Sequence, residues 1–318
     1  MSNQNFGQSK LFTIKLEDLE QTWNFQASKR FAAKFHNSNL IYQEINLEEF
    51  NELVLKFLNT LDSNIGKAGN HAFAKWENGW NENVIDFKKL SRIENLVPKY
   101  FGKIPILRWK RKWIKPVEKS MEYRFFELLL DQILEKYLQG IDNIYEFGCG
   151  TGHNLLRIRE LYPQINIFGL DWTESSQLAV NLIAKKFGDS KLIGKNFNYF
   201  EPDLSFKIKD NSTILTVASL EQVGSNFKPF IQYLLRNNPS LVIHIEPIDE
   251  LLDENNLLDY LSLKYCQKRD YLSGLLTYLI ELQENVELLE SSRTYVGSFY
   301  IEGYMLVVWR PKKFAQKF

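Results

Sequence analysis

At 318 residues the chain is about two domain-lengths, and its 44% hydrophobic and 25% charged content is that of a globular protein. Its 39 basic and 39 acidic side chains cancel, which argues against nonspecific nucleic-acid binding, where phosphate neutralisation needs a basic excess. No stretch approaches the ~18 apolar residues of a membrane span, and the N-terminus lacks the apolar core of a leader. The two cysteines, Cys149 and Cys266, lie far apart without metal-ligand spacing. Two reduced thiols in a cytoplasmic protein are the expectation.

Residues 1–10 are polar and expected to fray, and 11–14 could form a short strand or an extended tie. Asn46 marks a helix start, with Glu49 three residues on and Leu47, Phe50, Leu53, Val54, Phe57, Leu58 and Leu61 at helical spacing. The segment 62–66 closes that helix. Trp76 and Trp80, four apart, could clasp a ligand or pack a helix face against the rest of the chain; packing is the commoner use. Between 108 and 115 stand five basic residues, Arg108, Lys110, Arg111, Lys112 and Lys115, interleaved with Trp109 and Trp113. They would suit an anionic substrate, although a solvated connector anchored by its tryptophans is the simpler reading. Pro105 and Pro116 bracket the stretch as a hinge. It would separate a mainly helical region, 1–116, from a main domain, 117–318.

Ser120 opens an amphipathic helix with Met121, Phe125, Phe126, Leu128, Leu129, Ile133, Leu134, Tyr137 and Leu138 on its apolar side, ended by Gly140. From 143 to 246 strand and helix alternate, the pattern of a parallel sheet covered on both faces. Strands are predicted at 143–147, 166–170, 191–194, 213–218 and 240–245, and helices at 153–161, 174–187 and 227–237. A leucine-rich, helical segment follows over 250–283. Two strands, 284–292 and 304–310, close the pattern, joined by a loop containing Gly297 and Gly303.

The first of those strands runs through Glu146 into Gly148, Gly150 and Gly152, and a helix begins at His153. Glycines let backbone approach a ligand closely, and a helix start adds unpaired N–H groups. Asp171 ends the next strand nineteen residues after Gly152. In nucleotide-binding sheets an acid about 20 residues on reaches the ribose hydroxyls. The run Glu146-x-Gly148-x-Gly150-x-Gly152 resembles the first motif of the class I S-adenosylmethionine-dependent methyltransferases. The G-x-G-x-x-G spacing of dinucleotide sites does not fit, because His153 stands where its last glycine would fall. The resemblance covers about residues 120–310. It implies an α/β fold: a Rossmann-like seven-stranded methyltransferase sheet, mostly parallel with an antiparallel last strand, behind an N-terminal mainly helical extension.

The same resemblance implies S-adenosyl-L-methionine as cofactor, leaving as S-adenosyl-L-homocysteine. Glu146 would help hold its methionine part, Asp171 its ribose diol, and Trp172 would pack on ribose or adenine. Asn198 and Tyr199 occupy the adenine position after the third strand. After the fourth strand, Glu221 stands beside the transferred methyl; the Asp/Asn-Pro-Pro-Tyr/Phe of some N-methyltransferases is not there. On the fifth strand His244 and Glu246 share one face at the carboxyl end. Burying that pair costs desolvation unless the groups are paired or functional. His244 as a base would suit O-methylation of a metabolite or sugar hydroxyl. Glu221 with Glu246 would instead clamp a guanidine or amine acceptor. A cofactor-binding module without catalysis is the third reading. The expected partner is a small-molecule or peptide acceptor rather than a membrane or nucleic acid.

Overall fold

The computed structural model describes residues 10–312; the N-terminal residues expected to fray lie, but for Lys10, outside them. The N-terminal elements are β1 (Leu11–Thr13), α1 (Leu16–Trp23), α2 (Lys29–His36), β2 (Ile41–Glu44), α3 (Leu47–Asp62), α4 (Phe73–Leu90), β3 (Leu107–Trp109) and β4 (Lys112–Pro116). Asn46 caps α3 as its side chain predicts, accepting the Glu49 amide at 2.9 Å. The stretch 108–115 is a β-hairpin, not a hinge. Its turn, Lys110 and Arg111, lies at positive φ, and its tryptophans, Trp109 and Trp113, are buried. Lys110 pairs with Asp18 at 2.9 Å, Arg111 with Asp253 at 3.2 Å and Lys115 with Glu49 at 2.9 Å. Arg108 is 2% exposed and donates to the carbonyls of Leu258, Phe299 and Tyr300. Most of that positive charge is therefore spent on holding the fold.

The remaining elements are α5 (Met121–Tyr137), β5 (Asn143–Phe147), α6 (His153–Leu161), β6 (Asn166–Asp171), α7 (Glu174–Phe187), β7 (Leu192–Asn196), β8 (Ser212–Val217), α8 (Lys228–Asn237), β9 (Leu241–Glu246), α9 (Leu257–Arg269), α10 (Leu275–Glu281), β10 (Val286–Ser292), β11 (Val296–Ser298) and β12 (Met305–Pro311). Seven strands form the main sheet in the order β10-β12-β9-β8-β5-β6-β7. Pairings from β7 to β9 are parallel, whereas β12 runs antiparallel to both its neighbours. This is the expected Rossmann-like sheet with an antiparallel last strand. The predicted 297–303 loop contains a strand: β11 pairs with β3 and completes a five-stranded sheet, β1-β2-β4-β3-β11, with the N-terminal segments.

Two cores flank the main sheet, and alternation along each strand supplies them. In β5, Ile144 packs with α5 and α6 on one face, while Tyr145 and Phe147 pack with α8 on the other. The first of these cores also takes in Trp23, Phe31, Leu107 and Trp109, so the small sheet and N-terminal helices share it. A buried ion network, Arg293 with Asp259 and Glu302, ties α9 to the β11 segment. No described helix is long and apolar enough to cross a membrane. Since β6 lies on one side of β5 and β8 on the other, the order reverses at β5. In open α/β sheets that switch point, at the carboxyl ends, is where ligands bind.

Candidate active site

A cavity of about 400 Å³ opens at that switch point. Its floor is the glycine bend. Gly148, Gly150 and Gly152 all take positive φ, 72°, 51° and 77°, conformations that only glycine adopts without strain. A Cβ on Gly148 would stand 2.4 Å from Cβ of Ser219, at the end of the neighbouring strand. Three of the bend's amides are already engaged within the chain. Those of Gly148 and Cys149 donate to the Leu170 carbonyl at 2.7 and 3.0 Å, and that of Gly150 donates to Asp171 Oδ2 at 3.0 Å.

What the cavity offers instead is buried acceptors. Glu146 is 1% exposed; its Oε1 accepts from Asn154 Nδ2 at 2.7 Å, while its Oε2 has no partner. Asn154 Oδ1 is likewise without one. Burial pushes the Glu146 carboxyl up to about 8, against the Asn154 hydrogen bond. Asp171 lines the same cavity but already accepts three hydrogen bonds, from Gly150 N, Thr173 N and Thr173 Oγ1. With roughly four lone-pair directions on a carboxylate, it has room for one hydroxyl donor rather than the diol expected of it. Trp172 lines the wall beside Phe200, and Tyr199 does so with its hydroxyl 3.0 Å from Ser219 Oγ. Asn198 also lines the cavity, its Oδ1 accepting the Phe200 amide at 2.9 Å.

Helix α4 roofs the cavity. Trp76 and Trp80 stack at 5.3 Å, and a Cβ on Gly150 would meet the Trp80 ring at 3.1 Å. The packing expected of this tryptophan pair is met, and its rings also line the cavity. Glu77, from the same helix, accepts the Ser175 amide at 3.2 Å in the first turn of α7, where a carboxylate also meets the positive helix end. Thr151 donates to the Leu96 carbonyl at 2.5 Å, pinning the segment that follows α4 to the glycine bend. Two further groups face the cavity: His153, expected at the helix start or beside the cofactor rather than as the base, and Glu122, which the sequence reading passed over. His153, held neutral by burial down to about 3, leaves Nε2 without a partner. Glu122 accepts the Gly102 amide at 2.7 Å and is pushed up to about 7 by burial. An acid flanking the apolar side of the 120–138 helix was the available signal.

The three catalytic candidates separate. Glu221 lines the cavity, and its carboxyl is pushed up to about 8 by burial and then by the charge of Glu246. Glu246 lies behind it, fully buried. Its oxygens accept the amides of Ser219, Leu220 and Glu221 at 3.0 to 3.2 Å, so it shapes the turn carrying Glu221 and is not the second jaw of a clamp. His244 is not a base either. It is fully buried, with Nδ1 2.9 Å from Thr216 Oγ1 and Nε2 accepting from Trp309 Nε1 at 3.0 Å. Both ring nitrogens are engaged, and burial takes its pKa from 6.5 down to about 3.

That neutral histidine has a consequence for stability. Unfolded, it takes up a proton near pH 6.5; folded, it resists until about 3. Its contribution is complete above 6.5 and drains away as pH falls through that window. His244→Phe is expected to flatten this part of the melting-temperature profile. It is also expected to cost about 1–3 kcal/mol by leaving the Trp309 donor unsatisfied. Melting curves across the window, wild type against variant, check both.

No family model and no curated protein matches the sequence. Among solved structures, the chain is similar to an O-methyltransferase, NcsB1, from neocarzinostatin biosynthesis, in complex with S-adenosylmethionine and a hydroxy-methyl naphthoic acid. Identity is 14%, over 76% of this chain and 70% of that one, with a TM-score of 0.42. It is similar also to the plantazolicin methyltransferase BpumL, at 14% identity over 76% of this chain and 99% of that one, with a TM-score of 0.43. The [4+2]-cyclase SpnF is another, at 14% identity over 58% of this chain and 80% of that one, with a TM-score of 0.44. Strand order, the antiparallel β12 and the glycine bend at the switch point, rather than these distant likenesses, identify the architecture: the chain has the fold of the class I S-adenosylmethionine-dependent methyltransferases.

Proposed function

We propose that the protein is a cytoplasmic methyltransferase that uses S-adenosyl-L-methionine and methylates a hydroxyl of a small metabolite or sugar, with Glu221 in the role first given to His244. One observation carries the cofactor assignment. Two buried oxygens, Glu146 Oε2 and Asn154 Oδ1, have no partner at a cavity that both residues line. Unpaired buried polar groups are costly, and an ammonium brings three donors and a positive charge that favours the ionised carboxylate. The amino acid end of the cofactor supplies that group. Asp171 would accept one ribose hydroxyl, and Trp172, Asn198 and Tyr199 would border the base.

When bound, the cofactor supplies a methyl on a sulfonium, open to in-line displacement by the acceptor. The chain's part is to align the acceptor, exclude water and receive its proton. The aromatic roof of α4 suits water exclusion. Glu221 suits the last task, because a carboxyl raised to about 8 binds a proton far more readily than an ordinary one. A guanidine acceptor is less well served, since Glu246 is committed to three backbone amides.

The assay is transfer of a radiolabelled methyl to lysate fractions separated into small molecules, glycans, peptides and RNA. Label in the small-molecule or glycan fraction, base-stable as an ether is, supports the proposal. Label confined to peptide or RNA contradicts it. Tight cofactor binding without transfer to any fraction favours a non-catalytic binding module.

A further inference from the structure

Three cations from three distant segments converge on the cavity: Lys75 at the start of α4, Lys103 before β3, and Arg269 at the end of α9. On the 108–115 hairpin, Lys110, Arg111 and Lys115 are each matched by an acid. Lys75, Lys103 and Arg269 are not: among the described residues none makes an ion pair. Asp270, next in sequence to Arg269, pairs with Lys67 instead, and Arg269 Nε is buried without a hydrogen-bond partner. The Arg269 guanidinium lies over the Tyr271 ring at 4.9 Å, and the Lys75 ammonium over Trp76 at 5.0 Å. Both rings line the cavity as well. The position of Arg269 is fixed through its backbone, whose carbonyl accepts the Ala68 amide at 2.7 Å ahead of α4.

Like charges held together around one cavity repel, and the lining offers little to offset them. Lys75 is pulled below its ordinary pKa by burial and then by the charge of Arg269, with Lys103 adding to it. The carboxyl acting on Lys75 is Glu221, which at a pKa of about 8 is mostly protonated at neutral pH and carries little negative charge. Glu146 and Asp171 belong to the cofactor side of the bend, and Glu122 is engaged by the Gly102 amide. An excess of positive charge therefore sits beside Glu221.

We infer that the methyl acceptor carries an oxyanion, a carboxylate or a phosphate, which Arg269 and Lys75 hold next to Glu221. The planar fork of an arginine takes either group through two hydrogen bonds, and a lysine adds a point charge. Anchoring at one end leaves a hydroxyl at the other end to meet Glu221, so the same contact selects the substrate and orients it. The inference deepens the methyltransferase reading by naming the chemical class of its acceptor.

The test uses the full-length protein, with and without saturating S-adenosyl-L-homocysteine, and two probes: inorganic phosphate and acetate. Chloride at matched ionic strength is the reference. Calorimetry or thermal shift gives the probe affinity for wild type, Arg269→Gln and Lys75→Gln. One or both probes are expected to bind wild type beyond the chloride reference, and each substitution is expected to weaken binding about tenfold or more. A retained homocysteine-product shift shows that the variants are folded. A stronger phosphate response points to a phosphate ester, and a stronger acetate response to a carboxylic acid. No response beyond chloride, or an unchanged response in both variants, overturns the inference. If the cofactor product fails to bind while the anion response still depends on Arg269, the methyltransferase reading falls and the anion site stands.

Discussion

Glu221→Gln is expected to lower kcat by about 10²–10⁴, the span that general acid–base groups supply, while leaving affinity for S-adenosyl-L-homocysteine unchanged. The substitution keeps the side chain's size and removes its capacity to take a proton. The backbone of the turn stays in place, because Glu246 accepts its amides independently of the Glu221 side chain. The pH profile is the sharper readout. If Glu221 receives the acceptor's proton, the ionised carboxylate is the active form, so kcat/KM should climb with pH and level off above about 8. In the variant that rise should be gone. An unchanged rate, or the same rise without the carboxylate, would remove Glu221 from the chemistry.

Asp171→Ala is the second large effect: binding of S-adenosyl-L-homocysteine should weaken by about 100-fold or more. One carboxylate does two things there. It lines the cavity, and it holds the bend against the next helix through Gly150 N and both donors of Thr173. Alanine strands those buried donors and lets the bend relax, so affinity should fall together with some stability. Asp171→Asn separates the parts, since its amide oxygen can still serve one set of donors. Affinity intermediate between wild type and alanine, read by thermal shift, is the expected result. Full affinity in the alanine variant would place the nucleoside elsewhere.

Much of this architecture is local in origin, which is why the sequence carried it. The bounds of β5, α6 and α7 follow from apolar strands running into glycine or acidic turns, then helical spacing, all within a few residues. The glycine bend is read the same way. The failures are tertiary. Alternation put His244 and Glu246 on one face of β9, but that face meets Trp309 and the Ser219 turn, contributed by segments far away in sequence. Residues 108–115 looked like exposed charge because Asp18, Glu49 and Asp253, their partners, are scattered over more than half the chain. Lys75, Lys103 and Arg269 come from three segments with no common motif, and only packing brings them to one cavity. The Trp76–Trp80 spacing did carry a signal, a shared helix face, and the structure supplies what that face covers.

The central claim is that Glu146, with the glycine bend and Asp171, receives an amino-acid-bearing nucleoside. Calorimetric titration with S-adenosyl-L-homocysteine on either side of pH 8, in wild type and Glu146→Gln, tests it most directly. Burial keeps the Glu146 proton on up to about pH 8, and a bound ammonium would favour the ionised form. The account therefore predicts one equivalent bound, a proton released on the acid side, and affinity rising with pH toward that value, with this dependence absent in Glu146→Gln. No binding, or binding whose strength and pH dependence are the same in both proteins, would contradict it.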